Sequence, residues 1–181
     1  MKIIIVNGRG GVGKDTFVEL CRDCIAPGMS INISTVDDIK AIAKTCGWDG
    51  GKTDKDRAFL SALKQLLTDY NDFPHQATLK RINQYRAYLE SYDQPTDEAI
   101  VFIHCREPEA IRRLQQELNA VTVLIRRPCL ENHAYGNASD DGVDNYEYHF
   151  TIVNDGTIDD LRCRAVALLA ANNVKMIDNN I

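Results

Sequence analysis

The sequence lacks two features: a long apolar run and an excess of positive charge. No stretch approaches the ~18 consecutive apolar residues that a membrane-spanning helix needs. Residues 2–6 have the composition of a strand and not that of a signal peptide. The 181 residues carry a formal net charge of -5, whereas affinity for a nucleic-acid backbone comes from clustered lysine and arginine. We therefore expect a cytoplasmic protein that binds neither membranes nor nucleic acid.

Cysteine is present, but it lacks the spacing of a zinc site or a disulfide framework. The six cysteines are scattered along the chain. Only Cys21 and Cys24 form a C-x-x-C pair, and no second pair completes a metal site. Both cysteines recur with Phe17, Leu20 and Ile25 on one helical face. Packing in the core is therefore the favoured interpretation of this pair, and redox chemistry is the alternative.

Apolar runs alternate with helical stretches along the whole chain. Five segments predict strands, at residues 2–6, 30–35, 99–104, 121–125 and 148–153, and the second of them alternates apolar and polar residues. Helical spacing predicts a helix over residues 15–25 and two long helices between residues 54 and 92, with a break near Pro74. The first of these long helices has an apolar stripe of Leu60, Leu63, Leu67 and Tyr70. We expect an α/β three-layer fold, with a mostly parallel five-stranded sheet and helices on both faces.

The most specific motif lies between the first strand and the first helix. Residues 8–16 read GRGGVGKDT, and Gly8, Gly13 and Lys14 satisfy the pattern G-x-x-x-x-G-K. A buried strand enters this segment and a helix leaves it, which is the structural context that a phosphate-binding loop requires. Glycines let successive N–H groups approach phosphate oxygens, and the helix amino terminus adds partial positive charge. An incidental glycine-rich turn is the alternative.

This segment, called the glycine loop below, predicts a site for the phosphates of a nucleoside triphosphate. We expect Lys14 to reach the β and γ phosphates and to neutralise charge during transfer. The residues expected to contact the nucleotide are Gly8, Arg9, Gly10, Gly11, Val12, Gly13, Lys14, Asp15 and Thr16.

Asp15 departs from the usual form of such a loop, which has a serine or threonine whose hydroxyl binds Mg²⁺. A carboxylate can hold the metal directly or through water, although its charge also repels the phosphates. Thr16 offers a hydroxyl to a phosphate or to the metal. We predict both residues as metal ligands, and the alternative for Asp15 is a first-turn residue that the helix dipole favours.

Four segments, taken in chain order, resemble the P-loop (deoxy)nucleoside monophosphate kinases. They are GRGGVGKDT, VDDIK after the second strand, REPEAIRRL after the third and IVNDGTIDDL after the fifth. The chain looks closest to the phage-type deoxynucleotide kinases and is more distantly similar to dephospho-CoA kinases. The resemblance implies one P-loop kinase domain over residues 1–181, with a helical acceptor-binding region at 36–93 and a lid at 126–146. It also implies transfer of the γ-phosphoryl group of ATP, with Mg²⁺, to a small phosphorylated acceptor.

The resemblance implies four acceptor-binding residues. Asp37 and Lys40 of VDDIK match a D-x-x-K pattern, in which Asp37 orients the acceptor and Lys40 contacts its phosphate. Arg57 and Arg106 correspond to arginines that face the acceptor phosphate, and Arg106 follows a strand end, where open α/β sheets bind ligands. A solvated helix terminus is the alternative for Asp37, and a surface charge is the alternative for Arg57.

The resemblance also implies residues at the donor and the lid. Arg126 and Arg127 correspond to catalytic lid arginines that stabilise the transferring phosphoryl group while closure excludes water. Asn154 corresponds to the turn beside the donor base. The alternatives are solvated charges for the arginines and an ordinary strand-to-helix turn for Asn154.

Two histidines depart from the pattern of these kinases. His104 stands on the third strand where the family usually has aspartate, and His149 replaces an acidic position before the last strand. A neutral histidine does not do the electrostatic work of a carboxylate, so either Asp15 or Asp37 supplies the metal site or catalysis is impaired. A kinase for another small phosphorylated metabolite and a non-catalytic nucleotide-binding module are therefore alternative functions.

Overall fold

A parallel sheet forms the centre of the protein. The computed structural model describes residues 1–131 and 142–177. In these residues five strands pair in the order β2-β3-β1-β4-β5, and their bounds are Lys2–Asn7 (β1), Ser30–Ser34 (β2), Ile100–His104 (β3), Val121–Arg126 (β4) and Phe150–Val153 (β5). Ile5 and Val6 of the central strand β1 are 0% exposed, because helices cover the sheet on both faces. The predicted five-stranded parallel sheet is confirmed.

Helices connect the strands across both faces of the sheet. Their bounds are Lys14–Arg22 (α1), Asp37–Thr45 (α2), Asp54–Asn71 (α3), Phe73–Ser91 (α4), Pro108–Leu118 (α5), Pro128–Glu131 (α6) and Ile158–Ala171 (α7), with a 3₁₀ helix at Val143–Asn145. The connection from β1 to β2 runs one way along the sheet, and that from β3 to β4 runs the other way. Because such crossovers are right-handed, α1 and α5 lie on opposite faces. Helix α7 packs against α1.

The chain divides into two compact units. The first comprises Met1–Asn32 and Pro95–Ile181, and the second is Ile33–Gln94. Within the second unit, α2, α3 and α4 contact one another. The second unit coincides with the segment for which an acceptor-binding region is predicted. That role and the single-domain organisation remain predictions.

Helix α3 differs in part from its predicted packing. Leu60, Leu63 and Leu67 are half-buried, but Tyr70 is 81% exposed. Tyr70 lies in the last turn of α3, two residues before Asp72, which has a left-handed backbone with φ 57°. The chain turns there into α4, so the end of the stripe remains in solvent. The break between the two helices therefore falls at Asp72, and Pro74 lies in the first turn of α4.

The interpretation of Cys21 and Cys24 as core residues is confirmed. Both thiols are free and buried, and the Cys24 Sγ donates to the Leu20 carbonyl at 3.4 Å. Burial raises the pKa of the Cys21 thiol, which keeps it protonated and unreactive. Among the described helices, none combines the length and the apolar character needed to cross a membrane.

Candidate active site

The glycine loop joins β1 to α1 through left-handed backbone. Gly11 has φ 76° and Gly13 has φ 94°, and Gly8 has a positive φ of 148°. Gly13 is the N-cap of α1, and its carbonyl accepts from the Phe17 N–H at 2.9 Å. Because Gly13 has no side chain, it gives the first N–H groups of α1 no capping acceptor. They can therefore donate to an anion.

Two of the glycines also lie in close contact with other segments of the chain. A Cβ atom on Gly8 would stand 2.4 Å from the Ile125 carbonyl oxygen, and one on Gly13 would stand 2.6 Å from Asn154 Nδ2. Ile125 belongs to β4, and Asn154 follows β5. The loop therefore lies directly against the carboxyl ends of two strands that are distant in sequence.

Lys14 and Asn154 both contact the glycine loop. The Lys14 ammonium donates to the carbonyls of Gly8 at 2.6 Å and Arg9 at 2.7 Å. Asn154 Nδ2 donates to the Val12 carbonyl at 2.9 Å. The structure thus brings Asn154 to the glycine loop, while its contact with a donor base remains a prediction.

Arg9 and Arg126 share the carboxylate of Asp144. Arg9 Nη2 lies 2.9 Å from Asp144 Oδ2, and Arg126 Nη2 lies 2.7 Å from Asp144 Oδ1. These three residues line a cavity of about 250 Å³ that is also lined by Val12, Leu124, Ile125, Arg127, Leu130 and Val143. The predicted lid includes residues 132–141, which lie outside the described part of the chain.

Asn7 organises the start of the glycine loop. It is 0% exposed, and its Oδ1 accepts from the Gly8 N–H at 2.7 Å. Its Nδ2 donates to the Arg106 carbonyl at 3.2 Å and to the Tyr148 hydroxyl at 2.6 Å, and this hydroxyl donates to the Val143 carbonyl at 3.0 Å. One buried amide therefore connects the glycine loop, the end of β3 and the segment before β5.

Asp15 and His104, two of the three departures from the kinase pattern, lie close together. His104 Nε2 lies 3.6 Å from Asp15 Oδ1, where the imidazole is only 15% exposed and the carboxylate is 93% exposed. In residues 1–131 and 142–177, no group of three or more His, Cys, Asp or Glu is arranged to hold a metal. At the start of α1, the side chains that offer an oxygen atom to a metal are those of Asp15 and Thr16, and both are exposed.

His149 connects the start of β5 with β4. The Thr122 N–H donates to His149 Nδ1 at 3.0 Å, and the His149 N–H donates to Thr122 Oγ1 at 3.1 Å. Nδ1 thus acts as the acceptor in this contact. These contacts extend the pairing of β4 with β5 by one residue, and they give His149 a structural part.

The predicted acceptor residues lie in both units. Arg106 follows β3 in the first unit, whereas Asp37, Lys40 and Arg57 belong to the second unit. Lys40 and Arg57 are exposed, and Asp37 is half-buried. Their contact with an acceptor remains a prediction.

Arg81 on α4 is a partner of Asp37 that sequence reasoning missed. The Asp37 Oδ2 accepts from the Ser34 N–H at 2.8 Å and lies 3.4 Å from Arg81 Nη1. The Arg81 Nε also lies 2.8 Å from Asp38 Oδ2. Asp37 therefore has a structural part in the turn before α2, in addition to its predicted role.

No model of a known protein family and no curated protein sequence matches the chain. Solved structures do match it. The tunicamycin resistance protein of Deinococcus radiodurans is 15% identical, covers 97% of each chain and has a TM-score of 0.53. The thymidylate kinase of Ehrlichia chaffeensis is 13% identical, covering 93% of this chain and 98% of that chain with a TM-score of 0.46.

A sugar kinase from Janibacter sp. HTCC2649 is 17% identical, covering 94% of this chain and 95% of that chain with a TM-score of 0.45. Identities this low show the fold alone. The match to the Deinococcus protein extends over nearly the whole chain. With the strand order and the glycine loop, it confirms the P-loop NTPase-type three-layer fold.

Tyr148 was also missed by sequence reasoning, and its hydroxyl provides a test of the Asn7 network. Tyr148→Phe removes the acceptor for Asn7 Nδ2 and the donor to the Val143 carbonyl. We expect the free energy of unfolding at pH 7 to fall by about 1–2 kcal/mol, because a buried amide loses a partner. Urea denaturation measures this change, and Tyr70→Phe, at a residue that is 81% exposed, should leave stability unaltered.

The same variant should change how stability depends on pH. Burial raises the pKa of Tyr148 to about 12 from its ordinary value of 10.0, and the bond from Asn7 opposes this shift. The folded protein therefore retains a proton that the unfolded chain releases, so this contribution to stability is full below pH 10 and falls as the pH rises towards 12. The difference in stability between wild type and Tyr148→Phe should shrink over that range. A constant difference would contradict the burial of this hydroxyl.

Proposed function

We propose that the chain is an ATP-dependent phosphotransferase that transfers the γ-phosphoryl group to a small phosphorylated acceptor, with a (deoxy)nucleoside monophosphate as the first acceptor class. The glycine loop is the observation that carries this proposal. The loop contains glycines with positive φ, and Gly13, which has no side chain, is the N-cap of α1. The Lys14 ammonium donates to a carbonyl of the same loop. Backbone N–H groups, a helix amino terminus and one ammonium together suit a row of phosphates.

The cationic groups beside the glycine loop support transfer rather than simple binding. Arg9, Arg126 and Arg127 line one cavity with Val12 of the loop. Negative charge on a transferring phosphoryl group is stabilised most by cations that are positioned before the reaction begins. The proposed donor site therefore contains Arg9 and Lys14 of the glycine loop, and Arg126 and Arg127 at the carboxyl end of β4.

The position of Arg106 supports a phosphorylated acceptor. Asn7 donates to the Arg106 carbonyl and accepts from the Gly8 N–H, so one side chain links the backbone of Arg106 to the first glycine of the loop. A guanidinium binds a phosphate through two parallel hydrogen bonds. Arg106 is therefore proposed to hold the acceptor phosphate, with Asp37, Lys40 and Arg57 as further acceptor contacts.

Asp15 and Thr16 fit a Mg²⁺ ion that arrives with the nucleotide. Mg²⁺ prefers oxygen ligands and takes most of them from water and substrate phosphates, so one or two protein oxygens suffice. Both side chains are exposed in the first turn of α1, which begins within the glycine loop. When bound, the metal would neutralise part of the charge on the phosphates.

An acceptor panel tests this proposal. The full chain is incubated with Mg·ATP and each of the common ribonucleoside and deoxynucleoside monophosphates, and both ADP and the phosphorylated product are measured. We expect a matching monophosphate to raise ADP formation above the acceptor-free rate, with one product molecule for each ADP. Dephospho-CoA in the same panel tests the more distant resemblance. ATP binding without transfer to any monophosphate would contradict the proposal and favour a nucleotide-binding module.

A further inference from the structure

The carboxylate of Asp144 occupies a place that is suited to a phosphate group. Its two oxygens accept from two different arginines, at 2.9 Å from Arg9 and 2.7 Å from Arg126. One guanidinium comes from the glycine loop and the other from the end of β4. A phosphoryl group presents a similar pair of oxygens with more negative charge, and guanidinium groups bind both kinds of anion in this way.

The cavity around these side chains has the size of part of a nucleotide. Its volume is about 250 Å³, whereas pockets that enclose a whole small molecule measure roughly 300–1,000 Å³. Apolar side chains form much of its wall, at Val12, Leu124, Ile125, Leu130 and Val143. The cavity therefore fits one or two phosphoryl groups next to the glycine loop.

The Asp144 contacts are exposed enough to be exchanged. The side chains of Arg9, Arg126 and Asp144 are 31%, 44% and 41% exposed. Ion pairs with this exposure contribute little net stability, because water competes for both partners. A ligand with greater charge can therefore replace the carboxylate without unfolding the segment that carries it.

Lys14 shows the same arrangement at the centre of the loop. Its ammonium donates to the carbonyl oxygens of Gly8 and Arg9, which are internal acceptors that phosphate oxygens would replace. Thus Lys14, Arg9 and Arg126 all donate hydrogen bonds to oxygen atoms of the protein itself. The exchange at Asp144 differs from that at Lys14 in one respect, because Asp144 carries a full charge that can be removed by substitution.

We propose that Arg9 and Arg126 form a phosphoryl subsite and that Asp144 occupies it in the free protein until a phosphorylated ligand displaces it. The inference deepens the proposed function and rests on it only for the identity of the ligand as ATP. Because the ligand competes with Asp144, the apparent affinity is lowered by the fraction of molecules in which the carboxylate fills the subsite.

The Asp144→Asn variant tests the subsite by removing the charge and keeping the shape. We expect inorganic tripolyphosphate and ATP to bind about three- to tenfold more tightly than to wild type in calorimetric titrations. Glu98→Gln is the matched control. It also removes one carboxylate from a partly exposed ion pair, 3.0 Å from Lys175, but Glu98 precedes β3 at the opposite, amino end of that strand. Its affinities should equal those of wild type.

A double-mutant comparison separates the subsite from general electrostatics. In a chain that carries Arg9→Gln and Arg126→Gln, adding Asp144→Asn should give no gain in affinity for tripolyphosphate. The subsite is overturned by an absent gain in Asp144→Asn, by an equal gain in Glu98→Gln, or by a gain that persists without the arginines. Absence of tripolyphosphate binding to a folded wild-type chain overturns it too. Thermal unfolding of each variant establishes that it is folded.

Tripolyphosphate has no base, sugar or acceptor, so these titrations do not depend on transfer. Tighter binding by Asp144→Asn without transfer to any acceptor would leave the subsite standing and refute the kinase. Transfer to a monophosphate with no gain in Asp144→Asn would refute the subsite and leave the kinase standing.

Discussion

Lys14→Ala is expected to lower kcat/KM for ATP by about 10²- to 10³-fold, the usual effect of removing one preorganised group that stabilises transition-state charge. The Lys14 ammonium lies within hydrogen-bonding distance of the Gly8 and Arg9 carbonyls, so it is already inside the loop that would enclose the phosphates. Alanine removes this charge and keeps the helix, since it is the strongest helix former. ADP release at varied ATP concentration, with a saturating acceptor, measures the loss.

Lys175→Ala is the control for this variant. It removes one ammonium from an exposed pair with Glu98 at 3.0 Å, so the change in net charge is the same. Its kcat/KM should equal that of wild type. Similar losses in both variants, or full activity in Lys14→Ala, would contradict the catalytic role of Lys14.

Gly8→Ala is expected to lower the free energy of unfolding by roughly 3 kcal/mol or more, because positive-φ strain and overpacking act together. The added Cβ would stand 2.4 Å from the Ile125 carbonyl oxygen and 2.9 Å from Val12 Cγ2, at φ 148°. The carbonyl is a backbone atom of β4, which pairs with both β1 and β5. It cannot move away without disturbing the sheet. Urea denaturation measures the loss, and tripolyphosphate titration reports whether the loop still binds.

Gly28→Ala separates the collision from the backbone strain. Gly28 has φ 80°, and a Cβ atom there would meet nothing within 4 Å. Only the left-handed conformation is penalised, at about 1–2 kcal/mol. A loss in Gly28→Ala as large as that in Gly8→Ala would show that contact with β4 is not the reason for the glycine.

The elements of the fold were predictable because their signals are local. Continuous apolar runs such as that of β1 are typical of strands covered on both faces, and Pro108 and Thr157 mark helix starts through their own backbone chemistry. Boundaries were less predictable where burial continues past a helix. The first helix was expected to reach Ile25 but ends at Arg22, because Cys24 and Ile25 are buried in the turn that follows.

The sequence pointed to the glycine loop, and the resemblance pointed to Arg126, Arg127 and Asn154, which lie beside that loop. Asn7 carried a signal that was missed, since an amide at the end of an otherwise apolar buried strand must find hydrogen-bond partners inside the protein. Tyr148 and Asp144 carried none. Tyr148 lies 141 positions from Asn7, and Asp144 lies 135 positions from Arg9. No local spacing indicates which tyrosine or aspartate meets a given partner at such a separation.

The sequence by itself determined the place of the glycine loop and the alternation of strands and helices, because glycine, lysine and apolar spacing act within a few residues. Only the tertiary structure decided what surrounds the loop. The carboxyl ends of β3, β4 and β5 converge there, so Gly8 is packed against the Ile125 carbonyl and Gly13 against Asn154. The same convergence brings the Asp144 carboxylate onto Arg9 and Arg126.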